Sequence, residues 1–311
     1  MKTQFNRFLS ASLVLAGAAL ASVSSAADTP DLVHPGRSNV YSNLSDNSLE
    51  AVSTPAAILS LVQAPASAAP TAIWTMLEHG ERVECLDCIP YVAQMLYDGN
   101  AKTREISAWW LRRRIFGVFG PGQVYSQVIS AVADQSQSEA TRAYAASALG
   151  EFLEGAGIAP VATALSTDSA ASVRLAAANA LIRLNNQGPN AELGAALTDA
   201  DEGVRLAALN GATHINVFSA VDKVAGLLSD SSAAVRRRAA ATLGTMKVSD
   251  AVVGLIAVTS PANEPDAGVR AAAVWSLGQL ADSQARTAVL AAVNDSDSSV
   301  RDAANIALFR L

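Results

Sequence analysis

The stretch LSDSSAAVRRRAAATLGTM, Leu228–Met246, decides the fold. Counted from Arg236, Val235 lies one residue before, Ala239 three after, Leu243 seven after and Met246 ten after. Steps of four, four and three residues place these side chains on one face of an α-helix. Ser232, four residues before the arginine, is suited to cap that helix, because its hydroxyl accepts from the free amides of the first turn. Asp230 stands six before.

The same frame fits around Arg104, Arg142, Arg174, Arg205, Arg270 and Arg301. With Arg236 in its place, the intervals along the series are 38, 32, 31, 31, 34 and 31 residues. Valine precedes the arginine at Val173, Val204, Val235, Val269 and Val300, and threonine at Thr103 and Thr141. Seven residues after it stand Leu111, Leu149, Leu181, Leu243, Leu277 and Leu308, with Ala212 the exception. The position six after is small in most frames (Ala148, Ala180, Gly211, Thr242, Ser276, Ala307), which lets a neighbouring helix come close. Asp98, Asp168, Asp199, Asp230 and Asp295 recur six before, and Glu264 substitutes once. Upstream of each frame runs a second apolar segment, such as AELGAALTD (Ala191–Asp199) or ARTAVLAAVND (Ala285–Asp295). Each unit of about 31 residues therefore holds two short helices. Neither buries its apolar face alone, so the units must stack. The expectation is an all-α solenoid of about seven two-helix repeats.

The motif D-x-D/S-x-x-V-R-x-x-A-x-x-A-L resembles HEAT repeats of the short class named after phycobilisome lyases, from about Cys88 to Leu311. The resemblance implies an armadillo-type fold. It also implies that the acidic and arginine rows form a ladder between neighbouring repeats. That ladder would draw on Asp98, Arg104, Arg142, Asp168, Arg174, Asp199, Arg205, Asp230, Arg236, Arg270, Asp295 and Arg301, as Asp168/Arg174, Asp199/Arg205, Asp230/Arg236 and Asp295/Arg301.

The N-terminus reads as a secretory signal peptide over residues 1–26. Lys2 and Arg7 form a positive start, Phe8 to Ala21 an apolar run, and Ser24, Ser25 and Ala26 a small-residue cleavage site. Its removal takes the formal charge from −6 to −8. The reading is a periplasmic or secreted protein. No apolar run beyond the signal has the length of a membrane span, and such an acidic chain has little attraction for nucleic acid. Residues 27–70 read as a flexible Ser/Ala/Pro-rich leader with one short helix within AAILSLVQ (Ala56–Gln63). The solenoid is expected over 71–311, with a capping helix over 71–84.

Cys85 and Cys88 are the only cysteines, and export places them in an oxidising compartment. A local structural disulfide is the first reading. A redox-active pair at a helix entrance is the second. A metal site would need two further ligands, and the chain has three histidines in all, His34, His79 and His214. Ile89 excludes a C-x-x-C-H haem attachment.

The first full repeat is the irregular one. Trp110 and Arg114 replace the small and apolar residues of the frame, and an aromatic, glycine-rich connection follows at Ile115–Tyr125. One reading has Trp109, Trp110, Phe116 and Phe119 plugging the end of the core. The other makes Trp109, Trp110, Arg112, Arg113, Arg114, Phe116 and Phe119 a recognition surface for an acidic partner. Ser260–Gly268 carries three extra residues stiffened by Pro261 and Pro265.

Two enzyme relatives in the wider repeat group provide a contrast. Deoxyhypusine hydroxylase resembles this repeat type and uses His-Glu pairs on successive helices; the present chain has none. Phycobilin lyases act on a pigment of photosynthetic cells, a poor match for an exported protein. No serine-hydrolase or zinc-protease motif stands out. The expectation is an exported protein-interaction scaffold with no cofactor and no catalysis of its own, presenting a concave surface. A thiol redox or cofactor-assisted enzyme built on Cys85 and Cys88 is the alternative. Self-association through the last repeat is expected, since Leu308 and Leu311 extend its apolar face.

Overall fold

The structure, a computed structural model, describes residues 53–115, 122–184, 190–215 and 218–311. The expected signal peptide, the leader up to residue 52, Phe116 and Phe119 lie outside the described residues. The chain divides into two compact units, residues 1–92 and 93–311. No strand occurs among the described residues, which hold sixteen α-helices.

The described part of the first unit begins with α1 (Pro55–Val62). Thr54 caps it by accepting from the Ala57 amide at 3.2 Å, and Pro55 sits where no amide partner is needed. Ile58 and Val62, four residues apart, are buried. Residues 53–70, expected as the end of a flexible leader with one short helix, hold this helix and its two buried side chains. Helix α2 (Pro70–His79) buries Ile73 and Leu77 on the same spacing. It stops at Gly80, where a Cβ would come within 2.6 Å of Ile58 Cδ1, so a larger residue would have to push that side-chain tip aside. A 3₁₀ turn at Leu86–Cys88 leads into α3 (Ile89–Gln94). The expected cap over 71–84 is thus a helix ending at His79, grouped with the first unit.

The second unit is the repeat array. Its second helices are α4 (Ala101–Ile115), α6 (Glu139–Phe152), α8 (Ala171–Leu184), α10 (Glu202–His214), α12 (Ala233–Thr245), α14 (Ala267–Leu280) and α16 (Ser298–Leu308). Each contains one of the seven frame arginines. The first helices between them are α5 (Gln123–Ala133), α7 (Ile158–Thr167), α9 (Asn190–Ala196), α11 (Val221–Gly226), α13 (Val252–Ala257) and α15 (Arg286–Ala292). Each second helix packs on the next along the row, and each of these first helices on the second helix that follows it. The cap expected at Ser232 forms and recurs at the same frame position: Ser138, Asp201, Ser232 and Asp266 accept from the amide three residues on, and Asp297 from the amide two residues on. Val173, Val204, Val235, Val269 and Val300 are fully buried, as are Ala177, Ala208, Ala239, Ala273 and Ala304. Each fully buried valine or leucine contributes about 1.5–3 kcal/mol.

Close approach between second helices follows a size rule. The residue eight after one arginine faces the residue six after the next. A Cβ on Gly150 would lie 2.7 Å from Ala180 Cα, and one on Gly244 the same distance from Ser276 Cα. One on Gly278 would lie 2.7 Å from Ala307 Cβ. Where the first position holds Ile182 instead, the facing residue is Gly211, at 3.2 Å. One member of each of these pairs is glycine, which is what lets the two helices come this close there.

Candidate functional site

Each inner ladder arginine works in two directions. Arg174 Nη1 donates to the carbonyls of Asp168 and Ser169, both at 3.0 Å, in its own turn. Its Nε and Nη2 grip the Asp199 carboxylate of the next repeat at 2.7 and 2.8 Å. Arg142 takes Asp168 in the same bidentate way at 2.7 and 2.9 Å, and Arg270 takes Asp295 at 2.9 and 2.8 Å. Arg205 lies 2.8 Å from both oxygens of Asp230. Arg236 takes Glu264 at 2.6 and 2.8 Å. The carboxylates also accept the amide two residues on, as Asp168 does from Ala170 at 2.9 Å. Bonds from Arg142, Arg236 and Arg270 hold Asp168, Glu264 and Asp295 below the ordinary carboxylate range. Burial pushes Asp199 and Asp230 the other way, and the bonds from Arg174 and Arg205 with the backbone amides outweigh it.

This register corrects the expected one. Within a pair such as Asp168/Arg174 the arginine meets the aspartate's carbonyl; the carboxylate reaches back to the arginine of the preceding repeat. The extra residues at Ser260–Gly268 place Glu264 on the ladder, buried against Arg236. Three expected members do not form carboxylate rungs. Asp98 accepts from the Asn100 amide at 2.7 Å. Arg301 donates Nη1 to the carbonyls of Asp295 and Ser296, both at 2.8 Å.

Arg104 is the third. Its Nη1 reaches the carbonyls of Asp98 and Gly99 at 2.6 and 3.0 Å, as the frame requires. Its guanidinium then stacks 3.9 Å above the ring of Tyr144 instead of meeting a carboxylate. The cause is the next turn. Asp134 closes α5 eight residues before Arg142 rather than six, and its carboxylate folds back on Ser136 and Gln137, at 2.6–3.1 Å.

The aromatic and arginine-rich segment divides between interior and surface. Trp110 is fully buried, and Arg114 is 5% exposed. The Arg114 guanidinium lies 3.4 Å over the Trp110 ring, and its Nη1 donates to the Trp110 carbonyl at 2.8 Å. Both are therefore interior residues, not parts of a recognition surface, because they occupy frame positions that face inward. Trp109 and Arg112 are half-buried and Arg113 is exposed, so these three remain on the face.

Sequence reading missed a pocket of about 330 Å³ spanning α4, α6 and α8. Arg104, Glu105, Tyr144, Ser147, Glu151 and Arg183 line it, over a floor that includes Ala108 and Ala148. Arg183 Nη2 pairs with Glu151 Oε2 at 2.5 Å. Burial raises the Glu151 carboxyl above its ordinary value, with the charge of Arg183 opposing. The signal lay in the frame: Glu151 and Arg183 both stand nine residues after a ladder arginine, an outward position.

In the first unit, Cys85 and Cys88 form a disulfide. Both are buried, and their sulfurs lie 3.7 and 3.8 Å from the Pro55 carbonyl. A disulfide that exchanges with partners needs an accessible sulfur, and this one is enclosed. Among the described residues no group of three His, Cys, Asp or Glu is placed to hold a metal ion. No helix among them is long and apolar enough to cross a membrane.

A family profile described as HEAT repeats matches residues 190–263 and 254–311. No curated protein matches the sequence. Among solved structures, YibA of E. coli superposes with a TM-score of 0.55 at 16% identity, covering 88% of this chain and 97% of its own. Importin beta gives 0.55 at 15% identity, over 82% of this chain and 40% of importin beta. Kap95p, in a study of its binding to RanGDP, gives 0.53 at 12% identity, over 82% and 40%. At these identities the likeness is one of fold.

Proposed function

We propose that this chain of HEAT repeats is an exported protein-interaction scaffold, without catalysis of its own, that binds its partner along the face of the second helices. One observation carries the reading. Interior frame positions repeat the same residue, whereas the outward position five after each arginine varies along the row, with five residue types in seven positions. It reads Trp109, Ser147, Asn179, Asn210, Ala241, Trp275 and Ile306. A constant interior under a varied row is the pattern of a fixed frame carrying a specific surface. Kap95p, a solenoid of similar fold, binds RanGDP, which supports a protein as the class of partner.

A photo-crosslinking residue at Asn179 or Asn210, compared with one at Val253 on α13, tests the face in producing cells. Val253 is 71% exposed and serves as the first-helix control. Discrete adducts from the two asparagine positions and none from Val253 are the expected result. Adducts from Val253 alone, or from no position, would overturn the reading. Export rests on the N-terminal pattern, and the mass of protein from the periplasm or medium tests it. A chain starting at Ala27 is expected; a full-length cytoplasmic chain contradicts export.

Self-association through the last repeat belongs to the same reading. Ile306 and Phe309 are 54% and 92% exposed, and Arg301 bonds only to its own turn among the described residues. Sedimentation should show a concentration-dependent dimer that Phe309→Lys abolishes. A monomer at all concentrations would remove this part.

A further inference from the structure

The pocket at Arg104 stands where the ladder lacks a carboxylate. In five consecutive rungs the Nε–Nη2 edge of the arginine holds an acid from the next repeat. At Arg104 the Nη1 contacts of the rung are kept, the longer turn draws Asp134 away, and the edge meets no carboxylate among the described residues. Glu105, the nearest acid in sequence, pairs with Lys102 at 2.9 Å. Tyr144 supports the flat face of the guanidinium, so the fork is already held in one plane before anything binds.

We propose that this pocket receives an aspartate or glutamate side chain of the partner protein, whose carboxylate completes the rung at Arg104. The inference rests on the scaffold reading and adds to it the chemistry of one anchor. The volume, about 330 Å³, lies at the small end of ligand sites and suits a single side chain. The geometry of the fork selects a planar, bidentate acceptor. Glu105 and Glu151 line the same space, so a doubly charged phosphate meets two like charges where a carboxylate brings only one. Trp109, one turn beyond Glu105 on α4, provides an apolar flank for the neighbouring partner residue.

The test is an NMR titration of the full mature chain, observing the Arg104 Nε–H and the Tyr144 ring. The probe is a blocked pentapeptide of glycine and alanine with one central glutamate, against its glutamine twin. Saturable shifts at both groups with the glutamate peptide, and at least tenfold weaker binding of the glutamine peptide, are expected. Arg104→Lys should weaken the glutamate peptide by a similar factor, since the charge stays and the fork is lost. Tyr144→Leu, which leaves the arginine in place, should weaken it several-fold. Equal binding of the two peptides, no saturation, or full binding by Arg104→Lys would each overturn the proposal. Acetate binding as tightly as the peptide would overturn the partner side chain as occupant in favour of a small carboxylate. Failure here with adducts still forming at Asn179 leaves the scaffold reading standing; loss of both removes that reading as well.

Discussion

At the scale of single residues, the ladder converts a local turn into a link between repeats. Asp295 is the clearest case, since both of its oxygens bind Arg270 and Oδ1 also accepts the Asp297 amide. Removing one partner leaves the other charged and buried. Asp295→Ala should therefore cost about 3–5 kcal/mol in chemical denaturation, while the doubly substituted Asp295→Ala, Arg270→Met chain recovers much of it. The depressed carboxyls give the pH dependence its direction. Their folded values lie below the unfolded value of about 4, so the stability they supply is present above that pH. Acid titration should show a melting temperature that is level from neutral pH to about 5 and falls below about 4. The ladder residues were legible from spacing alone, but their pairing was not. Spacing shows that Arg174 follows Asp168 by six residues; it does not show that Asp168 binds Arg142, 26 residues earlier. Trp110 and Arg114 mislead for a different reason. Their chemistry suggests a surface, yet they sit six and ten after Arg104, where the frame turns inward, and stacking on Trp110 is what allows the guanidinium inside.

At the scale of helices, spacing is limited by the close contacts along the row. Gly244→Ala puts a methyl within 2.7 Å of the Ser276 backbone, which cannot swing aside as a side chain would. The expected cost is about 1–3 kcal/mol, read from denaturant midpoints. Unchanged stability would show that the helices can separate freely. The ends of helices behave oppositely. Ala281 closes α14 in the left-handed region at φ 54°, a conformation that glycine adopts without strain. Ala281→Gly should raise stability by up to about 1 kcal/mol. The glycine half of the size rule went unread because each frame was aligned to its own arginine. The rule appears only when one frame is laid against the next. Helix α1 illustrates the remaining limit. Its apolar pair Ile58 and Val62 was visible in the sequence, but the Ser, Ala and Pro around it gave no sign that both would be buried.

At the scale of the molecule, a repeated interior carries a varied exterior, and the two can be altered separately. The frame arginine, valine and leucine positions set the stack. Positions one, five and nine after each arginine lie outward and are not needed for it, apart from local pairs such as Glu151–Arg183. The architecture was legible because a stacked fold writes the same constraint into the sequence seven times. The Arg104 pocket was not, because it arises where that constraint lapses, through a turn two residues longer than its neighbours.

The most direct measurement is a paired scan of inward and outward frame positions, reading denaturant stability and photo-crosslinked partner in the same set of variants. The account predicts that Asn179→Lys and Asn210→Lys change stability by less than about 0.5 kcal/mol and abolish the adduct. It predicts that Val204→Ala lowers stability by about 1–3 kcal/mol and keeps the adduct while the chain stays folded. Outward variants that lose stability and keep the adduct would contradict it.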